Sequence, residues 1–248
     1  MFGKTRISTP EQSLYSEYRA HSVTSTLLKI ASSPDLVDQV YRSLLGAISD
    51  GSIAPGARLT QEDIAAQLAV SRQPVLQALR LLKNDGFVLD APGRGVCVAP
   101  LAAATLIQIY EVRSALDALA ARLASQAGQR IPAELIVRGR LAAQGSDVSA
   151  MITADEQFHA AIYAASGNPL IAPSAQMHWH HIRRAMGAVL QVGAMRESIW
   201  DEHEAIAGAI AAGDADRAEA LMRQHGIEAG RSLAALLTTA LDRQPLTG

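Results

Sequence analysis

Apolar residues recur at helical spacing along most of this chain, and one short stretch alternates runs and turns in the way strands do. Leu36, Val40, Leu44 and Ile48 recur every four residues behind Ser33-Pro34-Asp35 and ahead of Gly51, which predicts a first helix. Ala54-Pro55-Gly56 reads as a turn. Thr60, with Asp63 three residues on, is an N-cap for a short helix through Ile64, Ala65 and Leu68 that stops near Val70. Ser71 is a second N-cap, and Pro74 falls in the first turn of the next helix, where a missing N–H costs no helical hydrogen bond. Two helices so closely joined have the spacing of a helix-turn-helix, whose second helix enters the major groove of DNA.

On that second helix Val75, Ala78, Leu79 and Leu82 form a core face, while Arg72, Leu76, Arg80 and Lys83 line the other side. After Gly86, Phe87-Val88-Leu89 and Val96-Cys97-Val98 flank Ala91-Pro92-Gly93-Arg94-Gly95, a β-hairpin with an arginine at its tip. From Leu101 to Leu241 the periodicity is helical throughout, broken at Gly128 to Pro132, Gly145 to Asp147, Gly167-Asn168-Pro169, Gly193 and Gly213-Asp214, which predicts about six helices. The expected fold is mainly α. A winged helix-turn-helix with a small hairpin wing spans 34–99, an all-helical bundle spans 100–245, and residues 1–33 form an N-terminal arm. The arm carries Lys4, Arg6, Arg19 and Lys29 against Glu11 and Glu17, so it is either a loose tail or a contact to phosphates or a partner subunit.

Composition changes this picture little. With 248 residues, 49% of them hydrophobic, there is enough chain for two cores. The net charge of −2 does not announce nucleic-acid binding, and residues 34–100 hold six Lys and Arg against seven Asp and Glu. Placement of the arginines carries that signal instead. A single cysteine, Cys97, allows no internal disulfide and suits a reducing cytoplasm. No apolar run is long enough for a membrane helix, and no segment has the pattern of a phosphate-binding loop, a dinucleotide fingerprint or a serine-nucleophile elbow.

The helical half carries titratable groups on apolar faces. Asp155 and His159, four apart beside Ile162, project from one side of a helix. His203 precedes Ile206 and Ile210, and His225 follows Ala218, Leu221 and Met222. Burying a carboxylate and three imidazoles without partners costs several kcal/mol, roughly, and a divalent cation would satisfy all four together. Nitrogen and oxygen ligands suit several divalent ions, so the expected metal is zinc first, with nickel or manganese as alternatives. The run His178-Trp179-His180-His181 occupies successive positions that face different directions, which suits a surface or an interface.

PGARL, VSRQPVLQALRLLKNDGFV and the Arg94-Gly95 of the wing resemble the winged-helix domain of GntR-family bacterial transcription regulators over residues 34–99. The resemblance implies that Arg72 and Gln73 touch DNA from the start of the recognition helix and that Arg94 and Gly95 reach the minor groove. It departs at Leu76 and Gln77, where the family pattern has arginine and glutamate. The DNA-facing set is accordingly Arg72, Gln73, Leu76, Gln77, Arg80, Arg94 and Gly95. DEQFHAAIYAASGNPL and DEHEAIAGAIAAGDADRAEALMRQH resemble the helical effector-binding domain, FCD, of the FadR-type subfamily. In its metal-binding members the ligands match Asp155, His159, His203 and His225.

IYEVRSALDALAARLAS resembles the first FCD helix, in which the arginine matching Arg113 faces the ligand cavity. A guanidinium there would clamp a carboxylate with paired donors; the alternative is a surface salt bridge with Glu111 or Asp117. Asn168, in the Ser-Gly-Asn turn of the resemblance, is a further candidate for contact with metal or ligand. The expected protein is a cytoplasmic homodimeric regulator on a pseudo-palindromic double-stranded operator, responsive to a metal and a small carboxylate-bearing metabolite. The competing class is a metal-dependent hydrolase or lyase with a DNA-binding appendage; against it, no separate general base stands out beside the ligands, Glu156 and Glu202 being the only candidates.

Overall fold

The computed structural model describes residues 36–93, 95–190 and 198–242. The arm, Arg94, Gly193 and residues 243–245 therefore lie outside the described residues. Helix α1, Leu36–Ser49, buries Val40, Leu44, Leu45 and Ile48, while Leu36 at its start stays exposed. It ends before Gly51, whose φ of +84° few other residues adopt. Strand β1, Arg58–Leu59, precedes α2, Gln61–Gln67. There Thr60 Oγ1 accepts the Asp63 N–H at 3.2 Å and donates to the Asp63 carboxylate at 2.6 Å, so cap and third residue hold each other. Helix α3, Arg72–Asn84, follows a turn in which Ala69 has φ of +52°. Ser71 occupies its N-cap position, but its side chain makes no capping bond.

Pro74, Val75, Ala78, Leu79 and Leu82 of α3 are buried against α1 and α2, as the period of the sequence requires. Strands β2, Val88–Asp90, and β3, Val96–Val98, form the hairpin, and β1 joins it to give the order β1-β3-β2, all antiparallel. The third strand was not expected: a two-residue segment shows no alternation to read. Gly95 carries the hairpin past β1, and a Cβ there would stand 2.7 Å from the Leu59 carbonyl oxygen.

Among the described residues six helices follow: α4 Ala103–Gln126, α5 Ala133–Gln144, α6 Val148–Ala165, α7 Ile171–Val189, α8 Ser198–Ala211 and α9 Ala215–Asp242. They enclose a second core that includes Phe158, Ile162, Ile182, Ile206, Ile210, Met222 and Leu237. Each such side chain contributes about 1.5–3 kcal/mol on burial. The two longest helices, α4 and α9, lie against each other because Gly226 and Gly230 have no side chain. A Cβ on Gly226 would sit 2.9 Å from Ser114 Cβ, and one on Gly230 would sit 2.7 Å from Tyr110 Cβ. Among the described residues no helix is long and apolar enough to cross a membrane.

Candidate functional site

Between α4, α6, α7, α8 and α9 lies a cavity of about 70 Å³ whose lining includes Tyr110, Arg113, Asp117, Asp155, His159 and His225. His203, fully buried, stands at its edge: its Nε2 is 3.3 Å from His225 Nε2 and 3.5 Å from Asp155 Oδ1. The three imidazoles each bring a ring nitrogen within 4.8 Å of the others. The two shortest separations match the edge of a tetrahedron around an ion bound at about 2.0–2.1 Å. Asp155 Oδ1 is buried and has no hydrogen bond among the described residues, which is the condition of a ligand atom awaiting a cation. Of the four sequence-predicted ligands, the three histidines come together and Asp155 Oδ1 lies beside His203 alone, a donor set of the kind a divalent metal takes.

The ring states suit that role. Burial, then the charges of His225, His159 and Arg113, holds His203 well below the ordinary histidine range. Burial and Arg113 lower His159 too. A neutral imidazole has a lone pair to offer. His225 Nδ1 lies 2.7 Å from Glu202 Oε2, an arrangement that keeps the proton on Nδ1 and leaves Nε2 toward the other rings. His159 Nδ1 faces Asp117 Oδ2 at 3.4 Å.

Arg113 resolves a question the sequence left open. It lines the cavity and also pairs with Asp117, Nε to Oδ2 at 3.2 Å, but both side chains are buried, so this is no surface bridge. Burial works against both charges, yet each overcomes it: Asp117 and the nearby tyrosines keep Arg113 protonated, and Arg113 with His159 holds Asp117 at about 2. Tyr163 also donates to Asp117. Arg113 Nη2 has no hydrogen-bond partner among the described residues, and its guanidinium carbon lies 3.8 Å from the centre of the Trp179 ring. A buried guanidinium with a spare donor beside a histidine cluster is suited to an anionic oxygen.

Other expectations shift. Asn168 does not line the cavity: its Oδ1 accepts the Leu170 N–H at 3.0 Å and its own N–H bonds Ser166 Oγ, so it shapes the turn into α7. In the His178 to His181 run, Trp179 is core, only 3% exposed, and none of the three histidines is fully exposed. Glu156 pairs with Arg183 at 3.1 Å, away from the cavity lining. Glu202, a candidate base in the sequence, instead holds His225 Nδ1, and Trp179 and Tyr163 join the site as further partners. Tyr163 follows Asp155 and His159 at the same interval of four, a signal that was available.

On the opposite half of the chain, Arg72, Gln73, Gln77 and Arg80 are exposed on the side of α3 away from its core. Arg72 meets Glu62 of α2 at 2.5 Å, and Lys83 meets Asp90 at 2.6 Å. Leu76, expected in the open, is half-buried, because the helical period places it at the margin of the core face; the exposed leucine of this helix is Leu81. Gly95 is positioned by the hairpin, while Arg94 lies outside the described residues.

Known proteins match both halves. The profile of bacterial regulatory proteins of the gntR family matches residues 36–98, and that of the FCD domain matches residues 108–228. An HTH-type transcriptional regulator in the TAR-I ttuE-ttuC' intergenic region of Agrobacterium vitis is 31% identical over 140 residues, 54% of this chain and 82% of that protein. A probable D-xylose utilization operon transcriptional repressor of Paenarthrobacter nicotinovorans is 28% identical over 77% of this chain and 85% of its own length. Among solved structures, Escherichia coli McbR/YncC superposes with a TM-score of 0.67 at 22% identity, covering 83% of this chain and 99% of that one, which shows the shared fold. These matches are transcriptional regulators and not enzymes. A helix-turn-helix with its wing, continuous with an FCD bundle and with relatives matched across both, makes this chain a DNA-binding transcription regulator of the GntR family.

Proposed function

We propose that this regulator is a homodimeric repressor of the FadR type whose cavity holds a divalent metal, zinc foremost, and a small organic acid. The convergence of His203 Nε2, His225 Nε2 and Asp155 Oδ1 within 3.5 Å of one another's nearest member carries the metal reading. Asp155, His159, His203 and His225 would hold the ion, which would supply a positive charge for an anionic ligand. The spare donor of Arg113 supports the carboxylate. A water needs roughly 10–15 Å³ of such space, so a cavity of about 70 Å³ admits an acid of a few heavy atoms and not a long acyl chain. Repression follows the relative from Paenarthrobacter nicotinovorans, named as a probable repressor.

Dimerisation is supported by exposed apolar side chains on α4 and α9, with Ile107 and Ile227 lining one groove between them. Two recognition helices related by a two-fold axis read a pseudo-palindrome, which a single short helix cannot specify.

The test places purified protein on the DNA upstream of its own gene and titrates it with zinc, with chelator, and with a panel of mono-, di- and tricarboxylates of two to six carbons. The reading expects one acid to release the DNA in the zinc-loaded protein and to lose that effect after chelation. Release by an acid that is indifferent to chelator would sink the metal, and release by none would sink the acid.

A further inference from the structure

The run His178 to His181 belongs to neither the cavity nor the DNA surface alone, because α7 is covered on both sides. Residues two apart on a helix point about 200° away from each other. Trp179 points into the bundle, under the Arg113 guanidinium at 3.8 Å and edge-on to His159 at 5.4 Å. Met186, two turns further, lines the cavity itself, whereas Trp179 stands behind the lining residues Arg113 and His159.

The opposite side grips the DNA-binding half. The His181 ring stacks on Phe87 with centroids 4.0 Å apart and planes within 11°. Its Nε2 donates to the Asp85 carbonyl at 3.1 Å, and Asp85 is the residue that ends recognition helix α3. Tyr41 of α1 donates to the Asp85 carboxylate at 2.7 Å, so the same residue is also tied into the N-terminal core. Three residues along α7, Arg184 donates to the Ala99 carbonyl at 2.7 Å, just past strand β3. Ala99 in turn donates to the Phe87 carbonyl at 2.9 Å. Phe87 is wholly buried and Arg184 is 6% exposed, so these are packed contacts and not surface encounters.

We propose that α7 is the rod through which the cavity sets the orientation of the recognition helix, with Trp179, packed on the cavity-lining Arg113 and His159, at one end and His181 and Arg184 at its DNA-domain end. An anion drawn to Arg113 competes with the Trp179 face for the same guanidinium. Any resulting shift of Trp179 moves His181 with it, since one helical turn is stiff and the two share it. His181 holds the carbonyl of Asp85, the C-cap of α3, so the movement re-aims that helix. What fills the cavity rests on the function proposed above, whereas the mechanical link between Trp179 and α3 does not.

Hydrogen exchange on the full chain separates the two. The amides of Asp85 and Phe87, bonded to the Leu81 and Leu82 carbonyls at 2.9 and 2.8 Å, report the grip, and that of Leu68, bonded to Ile64, reports the N-terminal core away from it. His181→Ala is expected to speed exchange at Asp85 and Phe87 at least threefold and to leave Leu68 unchanged. Trp179→Leu, changed on the side of α7 that packs on Arg113 and His159, is expected to do the same, and the double variant to add nothing. Trp179→Phe serves if the leucine variant does not fold. Wild-type rates at Asp85 and Phe87 in the Trp179 variant, or fully additive effects in the double variant, overturn the link. Zinc is the probe for the cavity: it should alter exchange at the same amides in wild type and not in His181→Ala. Failure of zinc to bind, read by competition with a chromogenic chelator, would sink the metal reading while the variants still decide the link.

Discussion

Glu202 accepts a hydrogen bond from His225 Nδ1 at 2.7 Å and thereby decides which nitrogen of that ring faces His203. A carboxylate on the far side of a ligating imidazole fixes its tautomer and strengthens it as a donor to metal. Glu202→Gln keeps the shape and can still accept, but it lacks the charge; Glu202→Ala loses both. Zinc affinity, measured by chelator competition, is expected to fall about 10-fold to 100-fold in the alanine variant and less in the glutamine variant. Equal affinity in all three proteins would remove Glu202 from the site.

Arg113 and Asp117 form one buried unit, which alters what a simple truncation can test. Arg113→Met leaves the Asp117 charge uncompensated in the core and is expected to cost about 3–5 kcal/mol of stability. Asp117→Asn in the same chain should return a large part of that loss. Urea unfolding of both singles and the double closes the cycle, and additive losses would mean that the pair is not coupled. The double variant, not the single, is then the protein in which to ask whether the acid response depends on the guanidinium.

Gly226 lets α9 close on Ser114, next to Arg113. Alanine at a helical glycine gains about 0.5–1 kcal/mol in an open position. Gly208, on α8 with nothing within 4 Å of an added Cβ, should show that gain. At Gly226 the new methyl meets Ser114 Cβ at 2.9 Å and Cα at 3.3 Å, so backbone must yield, and a net loss of about 1–3 kcal/mol is expected. A stabilised Gly226→Ala protein would show that α4 and α9 have room to separate.

His181 is held down to about 4 by burial, with Arg184, His178 and His180 adding to the effect and the Asp85 carbonyl opposing it. The folded chain thus binds its proton less readily than the unfolded chain, so the contribution of His181 is complete above about pH 6.5 and is lost as pH falls toward 4. Over that window the stability of wild type relative to His181→Phe, which keeps a ring against Phe87 but cannot titrate, should fall by at most about 1.4 kcal/mol per pH unit. Parallel curves for the two proteins would place the titration elsewhere.

The DNA-binding half was readable because its punctuation is local: Thr60 with Asp63, Pro74 in a first turn and Gly86 after a helix each act within a few residues. The buried histidine cluster was readable for a different reason, since Asp155 and His159 share a face and His203 and His225 sit on apolar stripes that had to turn inward. Trp179 and Asn168 were not. Along α7 the side facing the bundle and the side facing the DNA-binding half are both packed, so the pattern of the run does not say which half each residue meets. A turn asparagine can spend its side chain on its own backbone, and nothing in the spacing says so.

Leu76 tests how α3 reads its operator. It sits one turn from Arg72 and from Arg80, half-buried at the margin of the core face. A leucine there matches the methyl group of thymine, which apolar side chains distinguish in the major groove. Leu76→Ala is expected to lose about 1 kcal/mol, close to fivefold, of preference at one thymine in each half-site. Leu76→Arg should raise general affinity and steepen its salt dependence, since an added cation displaces further counterions from phosphate. Leu81→Ala, changed at the exposed leucine of the same helix, is the control and should alter neither. Replacing each thymine of the operator by uracil removes only the methyl, so wild type should lose affinity at one position per half-site and the alanine variant at none. Equal binding of wild type to every uracil-substituted operator would leave Leu76 a packing residue and place base reading with Arg72, Gln73, Gln77 and Arg80.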